Sequence, residues 1–153
     1  MDTHLLGLEQ LGGHFDFNTS KNIYTFQTKG RLKGCYLHLE EISVTGTANV
    51  VMAAVLAEGE TTVYNAACEP YVQQLCLMLR DMGAHIEGIG SNRLHIRGVE
   101  KLHGTQHKLL PDMIEIGSFI GLAAMTRSEI TIKNARIDQL GIIPVCFVNW
   151  VLS

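Results

Sequence analysis

No apolar run in this 153-residue chain reaches the ~18 residues of a membrane span, and its opening MDTHLLGLEQ lacks the basic region of a secretory signal. The chain therefore reads as soluble and cytoplasmic, with no membrane partner. Positive charge is scarce too. Twelve Lys and Arg stand against 15 Asp and Glu, a net charge of −3, without the basic excess of a nucleic-acid binder. Any phosphate must then be held by local geometry. The four cysteines, Cys35, Cys68, Cys76 and Cys146, show no CxxC spacing and are too few for a disulfide framework, so buried, reduced thiols are expected. Linkers, low-complexity stretches and a phosphate-binding P-loop are all missing.

What is present is a repeat. Residues 8–15 read LEQLGGHF and residues 79–86 read LRDMGAHI, placing Gly12 on Gly83 and His14 on His85, 71 residues apart. Leu32 and Gly34 fall on Leu102 and Gly104, Ala53-Ala54 on Ala123-Ala124, and Asn65 on Asn134. Common solenoid units run at about 20 to 50 residues, so each copy here must be a small subdomain. Copy one spans about residues 4–67 and copy two begins at about 71. The 46% hydrophobic content suffices for real cores.

Each copy reads helix, hairpin, strand, helix, strand. In the first, residues 4–11 carry an apolar helical face stopped by Gly12-Gly13, and HFDF, IYTFQT and CYLHLE are β-type runs. Residues 47–57 form an apolar helix with Thr45 or Thr47 as cap candidates, and TTVYNA is the strand after it. In the second, residues 71–82 and 113–125 are helices, while HIEGIG, RLHIRG, TQHKLL and EITIKNA are strands. The pattern predicts a mixed α/β (α+β) architecture with apolar helices behind sheets. A third copy starts near Gln139 and breaks off. The run VCFVNWVL at 145–152 is either a terminal strand packed on the core or an end foreign to the repeat.

Several motifs fail on context. His103 and His107 have the spacing of a zinc pair, but Gly104 stands where a metalloprotease needs a glutamate, and no metal site is expected. Gly88-Ile-Gly90 lacks the third glycine and the helix of a dinucleotide fingerprint, and reads as a hairpin turn. The surviving candidate is SVTGTAN at 43–49, where small residues lead from a strand into an apolar helix. Backbone N–H groups and the helix dipole at such a start can hold a phosphate without lysines, although small polar residues there also serve as ordinary caps.

The phrases SVTGTANVVMAAVLAEGETTVYNAACEP and LPDMIEIGSFIGLAAM, with the opening DTHLLGLEQLGG, resemble the enolpyruvyl transferase family, in its branch whose acceptor is UDP-N-acetylglucosamine. The resemblance runs from Asp2 to about Pro144. It implies an inside-out α/β barrel of repeated βαβαββ subdomains, three to a domain in two domains. It also implies transfer of enolpyruvate from phosphoenolpyruvate to the sugar 3-hydroxyl, the first committed step of peptidoglycan synthesis, without metal or organic cofactor. By the same likeness Asp2 and Thr3, with His4 beside them, hold the uracil, and Ser43, Val44 and Thr45 bind the nucleotide diphosphate.

The sequence departs from the family pattern at Glu41, where many relatives carry lysine, and at Cys68, where arginine precedes the Glu-Pro pair. The catalytic acid of the family falls upstream of residue 1, so no catalytic residue is assigned and this chain is expected to be a truncated form without turnover. The division implied is a partial first domain at 1–110, a crossover at 111–144 and a non-family tail at 145–153. A homo-oligomer joined through the apolar tail, with sheet edges as a further contact, is expected. The reading from another class is a non-catalytic binding or scaffold module that keeps the fold.

Overall fold

The computed structural model describes the backbone of residues 2–151 and the side chains of residues 3–148. The chain forms two compact units, Met1–His107 and Lys108–Ser153. The first contains α1 (Asp2–Gln10), β1 (His14–Asn18), β2 (Ile23–Gln27), β3 (Tyr36–His38), α2 (Val44–Ala54), β4 (Glu60–Tyr64), α3 (Pro70–Asp81), β5 (His85–Glu87) and β6 (Arg93–Arg97). In the second lie α4 (Met113–Thr126), a 3₁₀ turn at Ile137–Gln139 and α5 (Ile143–Val151).

Period-2 alternation builds the main sheet of the first unit. Its order is β3-β4-β6-β5, with β3 parallel to β4 and the other pairs antiparallel. Leu37, Thr61, Val63, Ile86, Leu94 and Ile96 are buried on one face, while their neighbours along each strand are less buried or exposed. Val50, Val51, Ala54 and Val55 from α2 and its end, with Val72, Cys76 and Leu79 from α3, complete that core. β1 and β2 form a separate antiparallel hairpin, with Phe15 opposite Phe26 and Phe17 opposite Tyr24.

The repeat is visible in the backbone. Gly12 and Gly83 both take positive φ, +93° and +100°, which a glycine adopts without strain. After each, the chain closes the helix in the same way: the Gly13 amide donates to Leu8 O and the Ala84 amide to Leu79 O. Farther on, the Lys33 amide donates to Leu11 O at 2.8 Å and the His103 amide to Met82 O at 2.9 Å, again equivalent positions. Asn65 and Asn134 share a left-handed φ of 62° and 60°.

Mixed α/β architecture is as expected, and Gly88-Ile-Gly90 is part of the turn between β5 and β6. Four readings need correction. The second apolar helix of copy one starts at Val44 rather than residue 47, because Ser43 is the cap and Thr47 lies inside the core. TQHKLL and EITIKNA form no strands. Their counterparts β3 and β4 exist by pairing with each other and with β6, and a strand without a ladder partner has nothing to hold it extended.

The tail is the third correction: it is a helix, not a strand. Pro144 suits the first turn of a helix. Ile143 and Phe147, four residues apart, face Gly117 and Gly121 of α4, where a β-carbon on either glycine would lie 3.5 and 3.6 Å from them. α5 thus takes the place of a first helix of a third copy. The side chains of Trp150 and Val151, and all of Leu152, fall outside the described residues. Last, only Cys76 is a buried thiol. Cys35 is half-buried, and Cys68 and Cys146 are exposed.

Candidate functional site

Two helices begin side by side. A β-carbon on Gly7 of α1 would lie 2.4 Å from Val50 Cγ2, and one on Gly46 of α2 would lie 2.9 Å from Thr3 Cγ2. Both pairs step along the helices in the same direction, so α1 and α2 run parallel and their N-terminal ends lie together. The absence of side chains at Gly7 and Gly46 permits the approach. Each helix start carries about half a positive charge, and two such starts at one end reinforce each other.

Ser43 organises the start of α2. Its backbone is extended (φ −107°, ψ 120°) and its Oγ accepts the Gly46 amide at 3.0 Å. The Val44 and Thr45 amides have no acceptor within the helix and point out of its end. His4, on the first turn of α1, reaches across. Its Nδ1 lies 2.6 Å from Asn49 Nδ2 and its Nε2 3.2 Å from Thr45 Oγ1. An amide nitrogen can only donate, so Nδ1 accepts and Nε2 carries the proton and donates to Thr45. Thr3, 7% exposed, donates its hydroxyl to Glu41 Oε1 at 2.5 Å.

The structure therefore brings together Thr3, His4, Ser43, Val44 and Thr45, all named from sequence, at one end of a helix pair. Asp2 begins α1, and its side chain lies outside the described residues. Sequence reasoning missed the fixing role of Asn49 and the bond from Glu41 to Thr3. Asn49 did carry a signal: it is a polar residue in an apolar helix, one turn after Thr45 and so on the same face.

Other concavities are less suited. A cavity of about 340 Å³ near β5 and β6 is lined by Glu60, Arg80, His85, Glu87, His95 and Arg97, with His95 Nε2 3.6 Å from Glu60. It mixes both charge signs and involves none of the residues above. In the second unit, Lys108 to Pro111, Asn134 and Arg136 line a cavity of about 550 Å³. Arg136 there is engaged by Asp138 at 2.7 Å, and this hydrogen bond holds the Asp138 carboxyl far below the usual carboxylate range. Among the described residues no group of three or more His, Cys, Asp or Glu is placed to hold a metal ion, and no helix is long and apolar enough to cross a membrane.

Comparison with known proteins gives a consistent result. A sequence profile of the EPSP synthase (3-phosphoshikimate 1-carboxyvinyltransferase) family matches residues 1–148. UDP-N-acetylglucosamine 1-carboxyvinyltransferases of Bacteroides thetaiotaomicron and Porphyromonas gingivalis are 64% and 61% identical over 147 residues, covering 96% of this chain and 34% of each relative. The chain thus spans about a third of the length of these curated relatives. Among solved structures, the enolpyruvyl transferase NikO from Streptomyces tendae matches with a TM-score of 0.68 at 23% identity, over 78% of this chain and 30% of that one, a likeness of fold. EPSP synthase from Acinetobacter baumannii matches with a TM-score of 0.59 at 25% identity, over 82% of this chain and 28% of that one.

Proposed function

Because the chain belongs to the EPSP synthase family of enolpyruvyl transferases, we propose that its paired helix starts form part of the acceptor site for UDP-N-acetylglucosamine in enolpyruvyl transfer from phosphoenolpyruvate. The observation that carries this reading is the meeting of Thr3, His4, Ser43 and Thr45 at the N-terminal ends of α1 and α2. In that reaction the sugar 3-hydroxyl adds to the central carbon of phosphoenolpyruvate and a proton is added to the vinyl carbon. Phosphate then leaves the tetrahedral intermediate as its methyl carbon gives up a proton, which restores the vinyl group on the sugar oxygen. These steps need two anions held in register and a positioned acid.

The residues here serve binding. The Val44 and Thr45 amides and the dipole of α2 hold the diphosphate. His4, locked by Asn49, fixes the Thr45 hydroxyl so that its lone pairs and proton are directed. The base falls to Thr3, whose hydroxyl reaches it by exchanging its bond to Glu41, and, by the family likeness, to Asp2 at the start of α1. The cytoplasm, where nucleotide sugars are made, is the proposed location. The two units correspond to parts of two domains, joined near residues 108–111. The 153-residue chain alone, about a third of the length of its relatives, binds the nucleotide sugar weakly and does not turn it over. α5 leaves Val145 and Val148 55% and 56% exposed, which supports self-association through the tail.

Calorimetric titration with UDP-N-acetylglucosamine tests the assignment. A dissociation constant of about 1 mM, some 4 kcal/mol of binding, is the expected scale for one wall of a site. Ser43→Ala should weaken it severalfold, and Glu41→Gln, by releasing Thr3 and removing a nearby negative charge, should tighten it about two- to fivefold. Binding unaffected by either substitution would remove the helix starts from the site and leave the reading of a protein-binding module. For the tail, Val145→Lys with Val148→Lys should lower the mass seen by light scattering. An unchanged mass would dismiss that contact.

A further inference from the structure

The start of α2 offers hydrogen-bond donors and withholds acceptors. Its first backbone bond runs from the Thr47 amide to Ser43 O, so the Val44 and Thr45 amides precede the helical ladder. The Ser43 oxygen takes the Gly46 amide, and the proton of that hydroxyl has no acceptor among the described residues. Thr45 could add either a donor or an acceptor to this set, since a hydroxyl serves as both. The choice is made by His4, and the state of His4 is set by Asn49.

These three side chains form a line that is polarised in one sense. Asn49 Nδ2 lies 2.6 Å from His4 Nδ1 and donates to it, so a neutral His4 carries its proton on Nε2. Nε2 in turn donates to Thr45 Oγ1 at 3.2 Å. The Thr45 oxygen is thereby engaged as an acceptor, while its own proton has no acceptor among the described residues. With the imidazole proton on Nδ1 instead, Nε2 would take the Thr45 proton and the threonine would present only lone pairs. A side chain one turn inside α2 thus governs the polarity of one at its mouth. Thr45 is exposed, whereas His4 and Asn49 are half-buried, so the relay runs outward from the contact of α1 with α2. Thr45 and Asn49 are four residues apart and share a face of the helix, which lets one imidazole reach both.

We infer that Asn49 is a positioning residue: by holding His4 with its proton on Nε2, it makes Thr45 a donor to the bound diphosphate, and the helix start becomes a set of donors alone. The inference rests on the acceptor-site reading above. Such a set takes oxygens that only accept, as the ionised oxygens of a diphosphate do, and offers nothing to a ligand group that must donate. Hydrogen bonds to an ionised acceptor are roughly twice as strong as neutral ones, so the sense of the Thr45 bond bears directly on affinity. Asn49 acts through His4 and Thr45 and not by contact with the ligand.

Replacing Asn49 by a group that only accepts reverses the relay. In Asn49→Asp the introduced carboxylate requires the proton on Nδ1, and in buffer of about pH 9, where imidazole is neutral, Nε2 then accepts from Thr45. Nitrogen-15 spectra of the His4 ring without ligand should show a protonated Nε2 in the unaltered chain and a protonated Nδ1 in the variant. Titration with UDP-N-acetylglucosamine at the same pH, followed by amide shifts, should show that Asn49→Asp weakens binding. The loss should be about tenfold greater with Thr45 present than in a Thr45→Val background, the scale of one hydrogen bond to a charged group. This comparison cancels repulsion by the added charge and any loosening of the helices, because both act in either background. Equal losses in the two backgrounds, or a protonated Nδ1 in the unaltered chain, would overturn the inference and leave the acceptor site standing. Absence of binding by the unaltered chain would remove that reading and this inference with it.

Discussion

Two buried threonines separate a needed hydroxyl from an idle one. Thr47 Oγ1 accepts the Ala67 amide at 2.9 Å inside the core, whereas Thr61 Oγ1 is buried with no hydrogen-bond partner among the described residues. Thr47→Val leaves an amide unsatisfied and should cost about 1 to 3 kcal/mol, while Thr61→Val removes an unpaired polar group and should be neutral or stabilising. The second copy of the repeat agrees, for it has Ile130 at that position. Urea unfolding of both variants checks the contrast, and equal losses would contradict it. The Thr47 case also explains a misreading: a threonine at the head of an apolar run looks like a cap, and only the fold reveals that its hydroxyl serves another loop.

The Cys76 thiol offers a pH signature. Burial pushes it up to about 11, against a smaller pull downward from Arg80, and burial moves Cys35 in the same direction. The folded state thus binds the thiol proton more tightly than the unfolded state, whose thiols ionise near about 8.5. This contribution to stability is complete below the unfolded value and is lost as pH rises towards about 11. Cys76→Ala should be less stable at pH 7 through the cavity it leaves, yet its stability should fall less steeply with pH in that window. Parallel slopes in unfolding experiments from pH 8 to 11 would count against a buried, protonated Cys76.

At the scale of elements, the contact between α1 and α2 positions the site. Gly7→Ala would place a β-carbon 2.4 Å from Val50 Cγ2, and Val50 is fully buried. The intrinsic helix gain of about 1 kcal/mol is therefore outweighed by overpacking of about 1 to 3 kcal/mol, and the helices must part. The expected result is lower stability together with loss of the His4 contacts to Thr45 and Asn49, read from the imidazole nitrogen shifts. Stability raised with those shifts intact would show that the close approach is not required.

The elements legible in the sequence were those whose signals are local. Helix faces, glycine stops after Leu11 and Met82, and the hairpin turn at Gly88-Ile-Gly90 all appear where periodicity and turn chemistry put them. The strands that failed, TQHKLL and EITIKNA, have the right residues, but a strand is completed by a neighbour and the sequence of one segment does not contain it. The tail failed for the converse reason. Its β-branched and aromatic residues suggest a strand, while Pro144 and the glycine face of α4 favour a helix, and tertiary packing outweighs propensity.

For the molecule as a whole, the repeat was the most informative signal, because it predicted that distant segments share turns, caps and register. It accounts for matched backbone bonds at Lys33 and His103 and for matched left-handed asparagines at 65 and 134. The candidate site was legible in part. Its small-residue helix start could be read directly, but the joining of Thr3 and His4 to it required the parallel docking of α1, which glycines at 7 and 46 permit without announcing. The central claim is that these two helix starts hold a nucleotide diphosphate. Amide chemical shifts recorded during titration of the isotope-labelled chain with UDP-N-acetylglucosamine test it most directly. Changes should concentrate at Thr3, His4, Val44, Thr45 and Gly46, whereas changes confined to Arg80, His85, His95 and Arg97, or none at saturating nucleotide, would contradict it.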